Sequence, residues 1–535
     1  MNKTGATKAS AGVARARAAT AKPTRNRLPA EAKFAELKRR LLEISDLAAA
    51  GALLGWDQST YMPRGGAPAR ARQGATLSRL AHEKSVDPAL GKLLDDLAPY
   101  AAGFPYESDE ASLIRIARRD FEKAVKLPSA YVARAAELGS ASYDAWTRAR
   151  PANHFAHMLP FLEKAIDLSR EYANYFAPYE HVADPLIDAA EPGMTAASIR
   201  SLFAGLRRDL IPIVRAISDQ PRVSDDCLHG AFSDAAQLDF SRLVVKQLGY
   251  DFDRGRLDKT HHPFCTKFSA GDVRITTRVD DTHFGDALFS TMHESGHALY
   301  EQGVAATLEG TPLDSGTSAG VHESQSRLWE NVVGRGRAFW EHFYPVLRDA
   351  FPDRFAETGF ETFYRAINKV QPSLIRTDAD EVTYNLHIMM RFDLELELLE
   401  GRLRVKDLPE AWRARMQADL GLAPADDRDG CLQDVHWYTG AVGGGFQSYT
   451  IGNILSAQFY AAAIVSNPGI PAEIASGMFG TLHGWLRQQL YQHGRKFEPD
   501  ELVKRVTGGP MSTAPYLAYL RGKYGDLYRL SDHTA

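Results

Sequence analysis

The stretch Met292-His293-Glu294-Ser295-Gly296-His297-Ala298-Leu299-Tyr300 constrains this 535-residue chain more than any other. It reads H-E-x-x-H. On a helix, residues four apart stand one turn apart on one face, so His293 and His297 can grip a single metal ion between them. Glu294, one residue along, reaches a water at that ion without occupying a coordination site. This division suits a catalytic zinc, which needs a few protein ligands and an open position for a water whose pKa it lowers to roughly 7. Asp286 to Gln302 contains no proline and is followed by Gly303 as a C-cap, so one helix is expected there. Leu288, Met292, Ser295 and Leu299 give it a mostly apolar stripe. His293, Gly296, His297 and Tyr300 make the neighbouring face.

Glu323 is the candidate third ligand, 26 positions past His297. A Gly/Ser/Thr-rich stretch from Glu309 to Gly320 can turn the chain, and His322 to Asn331 has helical character. Two His and one Glu plus water form a catalytic zinc set. His322 is a rival ligand, and a surface carboxylate is the plain alternative for Glu323.

H-E-S-G-H followed by H-E-S-Q-S resembles the carboxypeptidase Taq family of thermostable metallocarboxypeptidases. Further blocks match in the family's order: His262-Pro263-Phe264, Asp272-Val273-Arg274-Ile275-Thr276, Ile375-Arg376-Thr377-Asp378-Ala379-Asp380 and Gly430-Cys431-Leu432-Gln433-Asp434-Val435-His436-Trp437. The resemblance begins near Phe34, includes Leu53 to Gln58 and Tyr61-Met62-Pro63, and runs to about Tyr528. It implies a mostly α fold: a large, zincin-type single domain with a central groove and a small β element next to the metal helix. It implies one Zn2+ per chain on His293, His297 and Glu323, with Co2+ as an alternative ion. Glu294 is then the general base, with broad release of single C-terminal residues from peptides, and the chain a homodimer.

The resemblance also points to Arg376 for the substrate's free carboxylate, a task suited to arginine's permanently charged, planar fork. An ion pair with Asp378 or Asp380 is its structural alternative. Arg274 and His262 are implied to line the groove, and His436 and Tyr449 are candidates to hydrogen-bond the oxyanion that forms when the peptide carbonyl is attacked. Relatives commonly carry a proline after the phenylalanine equivalent to Phe446. Here Gln447 follows, which bears on the backbone at Tyr449.

Residues 1–30 hold seven Lys or Arg and no Asp or Glu, without a bulky apolar cluster. A disordered basic, Ala-rich tail over 1–28 is expected, followed by a single helical domain over 29–535. A transit peptide would share the tail's composition; a secretory signal would need an apolar core that is absent here. A formal net charge of −4 argues against nucleic acid or an anionic membrane as partner. The longest apolar stretch, near Leu47 to Trp56, is far short of the ~20 residues that span a bilayer. Three scattered cysteines, Cys227, Cys265 and Cys431, fit a reducing, cytoplasmic setting and read as small buried fillers.

Helical spacing runs through most of 30–218, including Ile114 to Ala136 and Ala196 to Ile217 capped by Thr195, and Ala457 to Trp485 is helical near the C-terminus. The strand candidate is Asp272 to Val279, either pairing with an extended substrate or supporting the metal helix. Gly443-Gly444-Gly445 lacks the spacing of a phosphate loop. Two other activities compete: a helical zinc oligopeptidase or dipeptidyl carboxypeptidase, and a silent peptide-binding protein. Glu294 argues against the last, because binding needs no base.

Overall fold

Gly285–Gly303 forms the expected helix, and it runs through the core. Only Asp286, Ser290, His293 and His297 remain part-exposed along it, and these positions make one narrow stripe facing a cleft. Leu288, Met292, Ser295 and Leu299 are buried, as packing of the apolar stripe requires, and so are Glu294 and Tyr300. The structure, a computed structural model, describes residues 29–530. The basic tail expected over 1–28 lies outside the described residues.

The fold is mostly helical, in one domain. Its breaks follow proline and glycine. The helix expected from Ile114 to Ala136 divides into Asp109–Lys126 and Ser129–Ala149 because Pro128 pushes Leu127 into extended backbone. Asn467-Pro468-Gly469 and Gly477 likewise divide the C-terminal segment into Gln447–Ser466, Ile470–Ala475 and Gly480–Gln489. Ala196–Ser218 carries a reciprocal cap between Thr195 and Ser198. No described helix is long and apolar enough to cross a membrane. All three cysteines are free, with Cys431 buried.

A three-stranded sheet flanks the metal helix, with β1 at Leu257–Lys259, β2 at Cys265–Ser269 and β3 at Asp272–Thr277 in the order β1-β3-β2. The strand expected over Asp272 to Val279 is β3. It is parallel to β1 and antiparallel to β2, so both its edges are occupied and it cannot pair with a substrate. It supports the helix instead: Val273 and Ile275 are buried, and Thr277 Oγ1 meets Ser290 Oγ at 2.7 Å. The edge strands are β1 and β2, and on the β2 side Phe264 to Lys267 line the cleft.

The helix Ala319–Arg327 brings Glu323 beside the metal helix. Ser318 Oγ caps it by accepting from the Val321 N–H at 3.1 Å, and the buried Glu191 carboxylate accepts from the Gly320 N–H. Two glycines set the spacing. A Cβ on Gly296 would lie 2.5 Å from the Gln325 carbonyl oxygen, and one on Gly452 would lie 2.7 Å from the Glu323 Cβ. A mid-helix glycine costs about 1 kcal/mol against alanine, so such positions have a packing reason, and here it is close approach to the Glu323 helix. Gly452→Ala is therefore expected to cost about 1–3 kcal/mol, the usual range for overpacking a dense core, and to weaken metal binding by displacing Glu323. Thermal melts and metal titrations on one preparation check this; unchanged values in both would show that the helices simply part.

Candidate active site

One nitrogen from each of His293 and His297 and one carboxylate oxygen from Glu323 lie within 4.8 Å of one another. Glu323 Oε2 is 3.7 Å from His293 Nε2 and 3.4 Å from His297 Nε2. Glu323 is 6% exposed, so the surface-carboxylate alternative does not hold. Burial opposes its ionisation, but the Arg327 guanidinium and the two histidines hold its carboxyl well below the usual range. Two imidazoles and an ionised carboxylate, converging on one point from packed helices, fit a divalent cation.

The surrounding shell was not read from the sequence. Arg327 Nε donates to Glu323 Oε1 at 2.7 Å, which occupies one carboxylate oxygen and leaves Oε2 facing the histidines. His293 Nδ1 donates to Glu330 Oε2 at 2.9 Å, orienting the ring with Nε2 toward Glu323. Arg327 lies four residues after Glu323 and Glu330 three further on, in the π-helical turn Leu328–Val333, so helical spacing was a usable signal for both. His322, the rival ligand, turns its Nε2 away to Glu301.

Glu294 is the neighbour in this constellation that supplies no ligand atom. Burial pushes its carboxyl up to about 7, where it can gain or lose a proton near neutrality. It lines the same cleft as the three candidate ligands, a space of about 1640 Å³, against ~300–1,000 Å³ for ordinary small-ligand pockets. A peptide of several residues fits.

Arg376 lies in that cleft and is buried. Its partner is neither Asp378 nor Asp380. Nε and Nη2 grip Asp434 at 2.6 and 3.1 Å, and Nη1 donates to the Tyr384 hydroxyl at 2.9 Å. Asp380 is already used by the Gln371, Val382 and Thr383 N–H groups. A second guanidinium, the fully buried Arg391, also donates to Asp434, at 2.9 Å. Two cations thus share one carboxylate, so this cluster of three carries one positive charge in excess. A further anion is electrostatically welcome there. Arg391 comes from Tyr384–Glu400, a buried helix whose polar residues gave no amphipathic signal.

His436 Nδ1 donates to Asp434 Oδ1 at 2.6 Å, so in the neutral ring Nε2 accepts, and the Tyr449 hydroxyl donates to it at 3.2 Å. In this tautomer His436 has no proton on Nε2 to give, and the Tyr449 hydroxyl directs its own to that nitrogen. Gln447 occupies the first turn of Gln447–Ser466, where proline is also favoured, so the departure at Gln447 leaves Tyr449 helical. His262 lines the cleft. Arg274 does not: it is bidentate to Asp272 at 2.8 and 2.7 Å and lies over the Trp56 ring at 4.2 Å, because alternation along β3 turns it to the face opposite Val273 and Ile275.

Behind the cleft, Glu395 accepts from the Trp437 indole at 2.7 Å, and burial pushes its carboxyl from 4.5 up to about 7. A raised acid favours the folded state below its unfolded pKa, and that contribution is lost as pH rises through the folded value. Glu395→Gln keeps the indole acceptor and removes the ionisation. Its melting temperature is expected to fall less than the parent's between pH 5 and pH 8. Equal falls in parallel melts would refute this.

The family model described as carboxypeptidase Taq (M32) metallopeptidase matches residues 36–524. Thermostable carboxypeptidase 1 of Thermus thermophilus is 41% identical over 508 residues, covering 93% of this chain and 99% of that protein. Carboxypeptidase 1 of Bacillus subtilis is 36% identical, covering 94% and 99%. The crystal structure of an M32 carboxypeptidase from Deinococcus radiodurans R1 superposes with a TM-score of 0.90 at 50% identity, covering 93% of this chain and all of that one. Helical architecture, convergent metal-ligand set and near full-length matches agree: the chain belongs to the carboxypeptidase Taq (M32) family and is a metal-dependent carboxypeptidase.

Proposed function

We propose that this enzyme hydrolyses the last peptide bond of peptides with a free C-terminus, releasing single amino acids, with His293, His297 and Glu323 holding Zn2+. The observation that carries this reading is one cleft lined both by the candidate ligands and by Arg376, whose guanidinium shares the single carboxylate of Asp434 with the fully buried Arg391 behind it. A divalent cation bound by the three ligands supplies Lewis acidity and lowers the pKa of a bound water to about 7. The mixed nitrogen and oxygen set favours zinc and also accepts Co2+.

Glu294 takes a proton from the attacking water and delivers it to the leaving amine. Arg376 holds the terminal carboxylate, so the bond one residue in from the end is the one that reacts. The Tyr449 hydroxyl, released from His436 Nε2, donates to the oxyanion that develops on the scissile carbonyl. The edge of β2 supports pairing with an extended substrate backbone, and His262 adds a contact on the cleft wall. Family membership supports a homodimer, which sedimentation velocity tests.

The deciding experiment compares two peptides differing only in a free or amidated C-terminus, with and without chelator, following released amino acids by mass spectrometry. Single-residue release from the free end alone, abolished by chelator and restored by zinc, is the expected result. Equal cleavage of both peptides, or release of dipeptides, would replace this reading with an oligopeptidase or dipeptidyl carboxypeptidase.

A further inference from the structure

The two histidines of the motif are backed differently. His293 meets a carboxylate directly, through Nδ1 and Glu330. His297 Nδ1 instead lies 2.6 Å from Nδ1 of His322, whose Nε2 is 2.7 Å from Glu301 Oε1. Glu301 in turn accepts from Ser315 Oγ at 3.0 Å and pairs with Lys267 Nζ at 3.1 Å, and Lys267 is also anchored on Asp314. His322 stacks on the Tyr300 ring with centroids 5.2 Å apart, and Tyr300 stacks on Tyr491. The fold makes room for it: a Cβ on Gly316 would lie 2.7 Å from His322 Cδ2.

We infer that His322 and Glu301 are positioning residues that fix the ring orientation and tautomer of His297. This rests on the reading that His297 is a ligand through Nε2. With that nitrogen committed to the ion, Nδ1 carries the hydrogen and donates to His322 Nδ1. His322 then carries its own hydrogen on Nε2 and donates to the carboxylate of Glu301. The imidazole acts as a spacer that lets a carboxylate one turn farther along the metal helix orient a ligand it does not touch. A metal-ligating histidine is ordinarily oriented by such an acceptor on its second nitrogen, and loss of that acceptor costs 10- to 100-fold in metal affinity or activity. His293, His297 and Glu301 follow one another at four-residue intervals on the helix, which is how one face supplies two ligands and the acid behind one of them.

The test measures zinc and cobalt affinity of the full chain by chelator competition, with the visible spectrum of the cobalt form as a second readout. Variants are His322→Phe, which keeps the ring stack on Tyr300 and removes both nitrogens, Glu301→Gln, the double variant, and His293→Ala as a control on the site. His322→Phe is expected to bind about 10- to 100-fold more weakly with a shifted cobalt spectrum. Glu301→Gln is expected to move the same way by less, and the double variant to be no worse than His322→Phe alone, because the two act in series. Affinity and spectrum unchanged in His322→Phe, or losses that add in the double variant, would overturn the relay. If His322→Phe does not fold, unchanged affinity and spectrum in Glu301→Gln overturn it. Should His293→Ala bind metal like the parent, the ligand assignment itself fails, a result distinguishable from failure of the relay alone.

Discussion

Glu294→Gln is expected to lower kcat/KM for C-terminal residue release by about 10²- to 10⁴-fold, the usual contribution of a positioned general base. The amide has the carboxylate's shape and cannot take a proton from water. Metal content is expected to stay at the parent level, because the converging ligand atoms come from His293, His297 and Glu323. The site also tolerates a neutral side chain: burial already pushes the Glu294 carboxyl up to about 7. Rates on a free-acid peptide, measured beside the metal content of the same sample, separate the outcomes. Activity and metal lost together would make Glu294 a ligand, and activity retained would remove it from the mechanism.

Removing the charge of Arg376 has the second large effect. Arg376→Met keeps a long unbranched side chain, and Asp434 keeps Arg391 and His436 as partners. The folded state therefore loses one cation of two instead of stranding an acid. Hydrogen bonds to charged groups are worth about 1.5–3 kcal/mol, so kcat/KM on a free-acid peptide is expected to fall about 10- to 100-fold. Any residual reaction on the amidated peptide is expected to change little, so discrimination between the two substrates shrinks by the same factor. If both substrates lose rate equally, Arg376 acts by holding the site together through Asp434 and Tyr384, and the anchor lies elsewhere.

Part of the candidate site is legible in the chain because His293 and His297 obey short, regular spacing. Four residues between His293 and His297 on an unbroken helix determine a shared face whatever surrounds them. Glu323 follows from the helix-like segment after the Gly/Ser/Thr-rich stretch, and Arg376 from an ordered motif of a known family; the surroundings of neither are legible in the chain. The structural alternative for Arg376 is an ion pair with a near neighbour, Asp378 or Asp380. The acid that holds it is Asp434, far along the chain, and the second guanidinium comes from Arg391 in a helix with no polar face to notice. Arg274 shares a motif strand with Val273 and Ile275, yet the period-two alternation of a strand sends it to the opposite face.

By itself, the sequence determined the helical class and the shared face of His293 and His297, and it offered Glu294 as the candidate general base. These depend on backbone chemistry and on residues within a few turns of each other. Only the tertiary structure decided that β3 has both edges occupied, that His322 faces Glu301, that Asp434 gathers two arginines, and that Gly296 and Gly452 let the Glu323 helix approach. Each is a contact between segments whose separation along the chain carries no periodic signal, and close packing in three dimensions alone selects among the partners available.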